Sequence, residues 1–104
     1  MVLGPVHSGS MLVTMSETRR AAVTNFTGGE PASITQQGNP YVFRSSFTQL
    51  TSMPKVARYI KDTVKARNVA VMFTNNDYGK GGHDAMLKAL EALGIKVVVD
   101  ASTS

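Results

Sequence analysis

The stretch VAVMFTNNDYGKGGHDAMLKALEALGIKVVV, residues 69–99, predicts the fold class of this chain. It opens with an uninterrupted apolar run at residues 69–73 and closes with another at residues 95–99. Such runs are typical of strands that helices cover on both faces. Between them, apolar residues recur at helical spacing, and Gly94 stands where a glycine commonly ends a helix. Strand, helix and strand in this order predict two parallel strands joined by a right-handed crossover.

The residues before this stretch repeat the same alternation. Apolar and β-branched residues predict strands at 2–3, 21–26 and 41–43, and a helix over about residues 9–20. A second helix is expected to begin at Ser52, with Pro54 in its first turn and Asn68 at its end. The order β-α-β-loop-β-α-β-α-β predicts an α/β fold with a mostly parallel sheet.

Composition excludes several classes of protein. The chain has 104 residues, of which 42% are hydrophobic and 17% charged, so a disordered tail is not expected. Its net charge of +4 is not gathered into basic runs, and we expect no nucleic-acid partner. Without cysteine there are no disulfides and no thiolate ligands. No apolar stretch approaches the ~20 residues of a membrane span, and the start of the chain does not resemble a signal peptide.

Enzyme motifs fail when they are tested one by one. The glycines at 79–82 follow a predicted strand, but Lys80 precedes Gly81 where a phosphate-binding loop needs Ser or Thr. We interpret that segment as a flexible turn with an exposed lysine. Ser8 lacks the flanking glycines of a nucleophile elbow. His7 and His83 have no carboxylate at ligand spacing, and His83 is interpreted as part of a solvated helix face. We therefore expect no catalysis, no cofactor and no metal.

The interpretation that remains is recognition of an anion or zwitterion. In parallel α/β sheets, ligands bind beyond the carboxyl ends of the strands, which selects residues 7–10, 26–31 and 74–82. A hydroxyl of Ser8 or Ser10 is expected to cap the first helix, where free amides attract a carboxylate. Glycine amides and one carboxylate follow the second strand, and an aromatic side chain follows the fourth. The predicted ligand-binding residues are Ser8, Thr27, Gly28, Gly29, Glu30 and Tyr78.

Several segments together point to a family. Gly38–Arg44, with the sequence GNPYVFR, resembles a segment of the branched-chain amino-acid-type substrate-binding proteins of ABC transporters. These are type I periplasmic binding proteins similar to the leucine/isoleucine/valine-binding protein. Further likeness follows in the same order along essentially the whole chain, at Gly4–Ser8, Tyr59–Ile60, Arg67–Val71, Asp77–Gly81 and Ala89–Gly94.

The resemblance implies an incomplete fold made of two half-lobes of a type I periplasmic binding protein. Residues 1–46 correspond to late elements of the first ligand-binding lobe, and residues 47–104 to the first part of the second lobe. The hinge between the lobes is expected at Ser46, Phe47, Thr48 and Gln49. The opening strands of the family and its later second-lobe strands have no counterpart here, so the chain resembles an internal stretch.

The resemblance also implies a function. The expected protein is the extracytoplasmic solute-binding component of an ABC importer, periplasmic or outward-facing, with a membrane permease as its partner. It would bind a branched-chain or related amino acid, or another small carboxylate, between two lobes by hinge closure. Ser8 corresponds to a serine that holds the carboxylate and Tyr78 to a tyrosine that closes over the ligand. Glu30 replaces a threonine of the ligand loop, where it could receive an ammonium or repel a carboxylate.

Two alternatives stay open from the sequence. The same lobes are similar to ligand-sensing domains of transcription regulators and receptors, in which closure signals. A small flavodoxin-like nucleotide-binding enzyme is the other, and it predicts one complete five-stranded sheet with a phosphate at residues 79–82.

Overall fold

The computed structural model describes all residues, 1–104, and the chain divides into two compact units, Met1–Thr48 and Gln49–Ser104. Each unit has its own parallel sheet, with three strands in the first and two in the second. The α/β class with parallel strands is thereby confirmed. The flavodoxin-like alternative is wrong, because the five strands do not join in one sheet.

The first unit is a three-stranded sheet with one helix. Its elements are β1 (Val2–Leu3), α1 (Ser8–Arg20), β2 (Asn25–Thr27), a 3₁₀ turn at Ala32–Ile34 and β3 (Val42–Arg44). The strands lie in the order β1-β2-β3, all parallel. A small core forms where α1 meets the 3₁₀ turn and β3, from Met11, Met15, Ile34 and Val42. Pairing each strand to the next in this way places the ends of β1 and β2 at the same edge.

The opposite face of this sheet carries an apolar row. Leu3, Phe26 and Phe43 are paired in register across the three strands, and all three are exposed. The rings of Phe26 and Phe43 stack with their centroids 5.4 Å apart. Parallel sheets are normally covered on both faces, so this row is suited to a further layer of structure.

The predicted strand at residues 21–26 begins too early. Ala21 caps α1, and Ala22 adopts the left-handed conformation with φ of 54°, so the chain is still leaving the helix at these residues. The strand β2 therefore starts only at Asn25. The predicted strand includes Ala21 and Ala22 because they precede Val23, but in the structure they form the end of α1.

The second unit places two helices against a two-stranded sheet. Its elements are α2 (Gln49–Tyr59), a π turn at Ile60–Val64, β4 (Asn68–Thr74), α3 (Asp77–Ala92) and β5 (Lys96–Thr103). The core is built from Ala57, Leu90 and Ile95, with half-buried apolar residues of β4, β5 and α3 around them. Gly94 has φ of 71° just after α3, as predicted for the residue that ends the helix.

The predicted bounds of the helix before β4 are wrong at both ends. The helix α2 begins at Gln49, so Pro54 lies inside it instead of in its first turn. Proline has a helical φ but no amide, so α2 lacks the intrahelical hydrogen bond that residue 54 would otherwise donate. The helix ends through the π turn and Lys65, whose φ is 57°, and Asn68 is already the first residue of β4. No helix in the chain combines the length and the apolar character that a membrane crossing requires.

Candidate functional site

In the first unit, the loop after β2 is bonded to the segment after β1 through Thr27. The Thr27 hydroxyl donates to the carbonyl of Pro5, with 2.7 Å between the oxygens, and accepts the amide of Gly29 at 3.0 Å. Its side chain is buried, with 2% exposed. Since the hydroxyl proton and one lone pair are both used inside the protein, Thr27 fixes the shape of the loop.

The glycines of this loop allow it to lie close to its neighbours. A Cβ on Gly29 would stand 2.6 Å from the Cδ1 of Ile34 and 3.5 Å from the carbonyl oxygen of Val6. The carbonyl of Gly28 accepts the hydroxyl of Ser46 at 2.9 Å. Glu30, the next residue, is half-buried. The loop is therefore held from both sides, with one carboxylate at its end.

Ser8 does not cap α1 as the sequence predicted. His7 occupies the N-cap position without a side-chain hydrogen bond, and Ser8 is the first residue of the helix. Ser8 is only 3% exposed, and its Oγ has no hydrogen-bond partner. A buried hydroxyl without a partner lowers stability, and the first turn of a helix also carries free amides and a partial positive charge. These donors together can hold an anionic group.

In the second unit, the start of α3 is fixed by Asn76. The Asn76 Oδ1 accepts the amide of Gly79 at 2.8 Å and the hydroxyl of Thr74 at 3.2 Å. Tyr78 consequently lies in the first turn of α3, and 48% of it is exposed. The sequence placed Tyr78 in a turn at the end of a strand; it is helical, but it still lies at the carboxyl end of β4.

The predicted flexible turn at residues 79–82 is wrong, because these residues belong to α3. Gly79 and Gly82 are both buried. A Cβ on Gly79 would stand 2.0 Å from the carbonyl oxygen of Thr74, and one on Gly82 would stand 3.1 Å from the Nε2 of Gln49. Glycine at position 79 therefore lets the Thr74 carbonyl lie close to α3, and glycine at position 82 leaves room for the Gln49 side chain.

Gln49 contacts this same turn. It is the first residue of α2, and 2% of it is exposed. Its Nε2 donates to the carbonyl of Tyr78 at 2.9 Å, whereas its Oε1 is buried without a partner. The sequence predicts Gln49 only as a hinge residue and carries no signal of this contact, since Gln49 and Tyr78 are 29 positions apart.

His83 is not on a solvated helix face, which corrects the prediction. Its side chain is 15% exposed and stacks on Phe73, with ring centroids 4.2 Å apart. The Nε2 lies 2.9 Å from Asp100 and the Nδ1 3.0 Å from Asp84. Hydrogen bonds to Asp100 and then to Asp84 raise the pKa of His83 above its usual 6.5. The three side chains do not form a group that could hold a metal ion.

The predicted ligand residues are thus divided between the two units. Ser8 and the loop Thr27–Glu30 belong to the first unit, after neighbouring parallel strands, and Tyr78 belongs to the second. Of the predicted hinge residues, Ser46, Phe47 and Thr48 end the first unit and Gln49 begins the second. Ser10, the alternative cap, is exposed.

Three known proteins that are similar to this chain are all named as binding proteins. A leucine-specific-binding protein of Salmonella typhimurium is 32% identical over 54 residues, which are 52% of this chain and 15% of that protein. A solute-binding protein of an ABC transporter from Rhodopseudomonas palustris, solved with p-hydroxybenzoic acid, aligns with a TM-score of 0.88 and 25% identity over 97% of this chain and 27% of that one. A leucine-binding protein from Thermotoga maritima gives a TM-score of 0.88 at 20% identity over 97% of this chain and 29% of that one.

The chain therefore spans less than a third of the length of these relatives. The family described as "Periplasmic binding protein" matches all of it, residues 1–104. Both parallel sheets and the whole order of elements lie within that match. The chain belongs to the periplasmic binding protein family.

Proposed function

We propose that this chain is part of the extracytoplasmic solute-binding component of an ABC importer, which binds a small carboxylated solute and delivers it to a membrane permease. Support comes from the family and from two relatives, one named for leucine and one solved with p-hydroxybenzoic acid. These two solutes differ in size, charge and hydrogen bonding, but each carries a carboxylate. Recognition of the carboxylate is therefore the shared chemistry, and no covalent step is needed.

The observation that carries the proposal is the buried hydroxyl of Ser8. It has no partner within the protein and lies in the first turn of α1. A carboxylate placed there would accept the hydroxyl proton and the free amides of the turn, and would meet the positive end of the helix dipole. Binding would remove the cost of the unpaired group, which gives the ligand part of its affinity.

The loop after β2 supplies the second contact in this proposal. Thr27 holds the shape of the loop by accepting the Gly29 amide, and the amide of Gly28 is the backbone donor proposed to meet the ligand. Glu30 determines which solutes are accepted. An amino acid has an ammonium that Glu30 can receive, whereas an aromatic acid has none.

Closure over the ligand is proposed for Tyr78. Its backbone is fixed and its ring is half-exposed, so the ring can cover a bound solute when the lobes approach. We propose Ser46, Phe47 and Thr48 as the pivot, because Gln49 is buried in α2. The ligand favours the closed form only as far as it binds that form better.

The test uses the full-length protein that contains this chain. Isothermal titration with L-leucine, L-isoleucine, 4-hydroxybenzoate and 3,4-dihydroxybenzoate should show binding of at least one of them. The substitution Ser8→Ala should then weaken binding by about 1–3 kcal/mol, the range for a hydrogen bond to a charged group. It should leave the melting temperature unchanged or raised, because it removes an unpaired buried hydroxyl.

Ser10→Ala is the matched control, since Ser10 is exposed two residues away on the same helix. The Ser10→Ala variant should bind the solute with the same affinity as the wild type. Unchanged affinity in Ser8→Ala would remove Ser8 from the site, and absence of binding for all four solutes would contradict the proposed carboxylate specificity.

A further inference from the structure

We infer that Gln49 is a positioning residue for ligand binding, which acts by holding the backbone of Tyr78. The inference rests on the proposed function, because it concerns the residue proposed to close over the solute. It assigns to Gln49 a role other than that of a hinge residue. All the contacts that carry it lie within the second unit.

A hydrogen bond from Gln49 holds the main chain of Tyr78. The Gln49 amide donates to the carbonyl of Tyr78 at 2.9 Å, while the Tyr78 residue itself remains 48% exposed. The bond therefore fixes the main chain and leaves the ring available. The side of the turn toward Gly79 is held independently by Asn76, which accepts the Gly79 amide at 2.8 Å.

Gly82 leaves the Gln49 side chain room to reach the first turn of α3. In an α-helix, the carbonyl of Tyr78 faces the amide four residues later, which is that of Gly82. A Cβ on Gly82 would stand 3.1 Å from the Gln49 Nε2, tighter than an ordinary contact. The glycine leaves room for the Gln49 amide to reach a carbonyl that is already part of the helix. The carbonyl has two lone pairs and can accept both donors.

A glutamine at position 49 carries a cost in stability. Gln49 is 2% exposed, and its Oε1 has no partner. A half-satisfied buried amide stabilises a protein less than an apolar side chain of the same shape. The amide is therefore poorly explained by stability alone, and its one hydrogen bond goes to the residue proposed to contact the ligand.

Gln49 lies where the chain enters the second unit. It is the first residue of the second unit, directly after the proposed pivot. Its hydrogen bond thus joins the point where the chain enters this unit to the first turn of α3. Removing that bond should allow the turn to shift without disturbing the core formed by Ala57, Leu90 and Ile95.

The experiment is a double-mutant cycle in the full-length protein, titrated with L-leucine and with 4-hydroxybenzoate. Gln49→Met keeps the length of the side chain and removes the donor. It should raise Kd roughly three- to tenfold, the equivalent of one hydrogen bond. In a Tyr78→Ala background, the same substitution should raise Kd no further, because the ring that Gln49 positions is gone.

Two more variants keep the test decisive. Gln37→Met makes the same change at an exposed position and should leave Kd unchanged. Should Gln49→Met fail to fold, Gly82→Ala displaces the Gln49 amide while favouring the helix. It should weaken binding about twofold or more, and again only when Tyr78 is present.

The outcomes separate the two proposals. If the wild type binds neither L-leucine nor 4-hydroxybenzoate, nor the other two solutes named above, the proposed function fails, and this inference fails with it. If the wild type binds but Gln49→Met leaves Kd unchanged, the inference alone is overturned. It is also overturned if Gln49→Met weakens binding equally with and without Tyr78, because the glutamine would then act elsewhere.

Discussion

Gly79 and Gly82 lie in the same helix, are both buried and differ in what an added methyl group would meet. A Cβ at position 79 would stand 2.0 Å from the Thr74 carbonyl oxygen, a backbone atom that cannot turn aside. A Cβ at position 82 would stand 3.1 Å from the end of the flexible Gln49 side chain. Gly79→Ala and Gly82→Ala therefore form a pair that adds the same methyl group to one helix in two different surroundings.

The expected free energies of unfolding follow from these contacts. Forcing a methyl group into a closed site costs about 1–3 kcal/mol or more, and here it also displaces the Asn76 cap, worth about 1 kcal/mol. The gain from replacing glycine in a helix is about 0.5–1 kcal/mol. Gly79→Ala should thus lose about 1–3 kcal/mol, whereas Gly82→Ala should change stability by less than about 1 kcal/mol.

Urea unfolding of the full-length protein, followed by circular dichroism, measures both values. The wild type, Gly79→Ala and Gly82→Ala are compared at one pH and temperature, and the slope with urea must stay the same for the comparison to hold. Equal stabilities of the two variants would refute the reasoning, because they would show that the contact with Thr74 does not constrain position 79.

Three further predictions concern single side chains. The pKa of His83, measured by NMR, should lie above 6.5 because of its hydrogen bonds to Asp100 and Asp84. The contribution of His83 to stability is then full below about pH 6.5 and disappears as the pH rises through the folded-state pKa. A measured pKa at or below 6.5 would contradict this prediction. Asn76→Ala should lower the free energy of unfolding by about 1 kcal/mol through loss of the α3 cap, and no loss in a urea titration would contradict the assignment. Ala22→Gly should leave the free energy of unfolding unchanged or raise it by up to about 1 kcal/mol, because φ at this position is 54° and glycine adopts this conformation without strain. A clear loss of stability in the same urea titration would show that the left-handed conformation does not strain Ala22.

The fold was predictable because it depends on patterns that repeat locally. Continuous apolar runs gave β4 and β5, although β5 extends to Thr103, and the helical spacing between them gave only the later part of α3, which begins at Asp77. Predictions failed where one local signal competed with another. Ser52 and Pro54 are typical of a helix start, but α2 extends one turn further, to Gln49.

The candidate site was predictable only in outline. The rule that ligands bind after parallel strands selected Ser8, the loop after β2 and Tyr78. The sequence could not indicate that His7 takes the cap position, which leaves the Ser8 hydroxyl buried and unpaired. Tyr78 lies 29 positions from Gln49 and Asp100 lies 17 positions from His83, and only the fold brings such residues into contact.

The first turn of α3 and the loop after β2 each combine a buried residue that fixes the main chain with a neighbouring side chain that is partly exposed. Thr27 and Gly79 are buried and hold the main chain, while Glu30 and Tyr78 extend from it with their side chains partly in solvent. Under the proposed function, new cargo preferences would arise by exchange at positions 30 and 78 without rebuilding the framework. A biosensor library made from this scaffold should randomise those two positions and retain the framework pair.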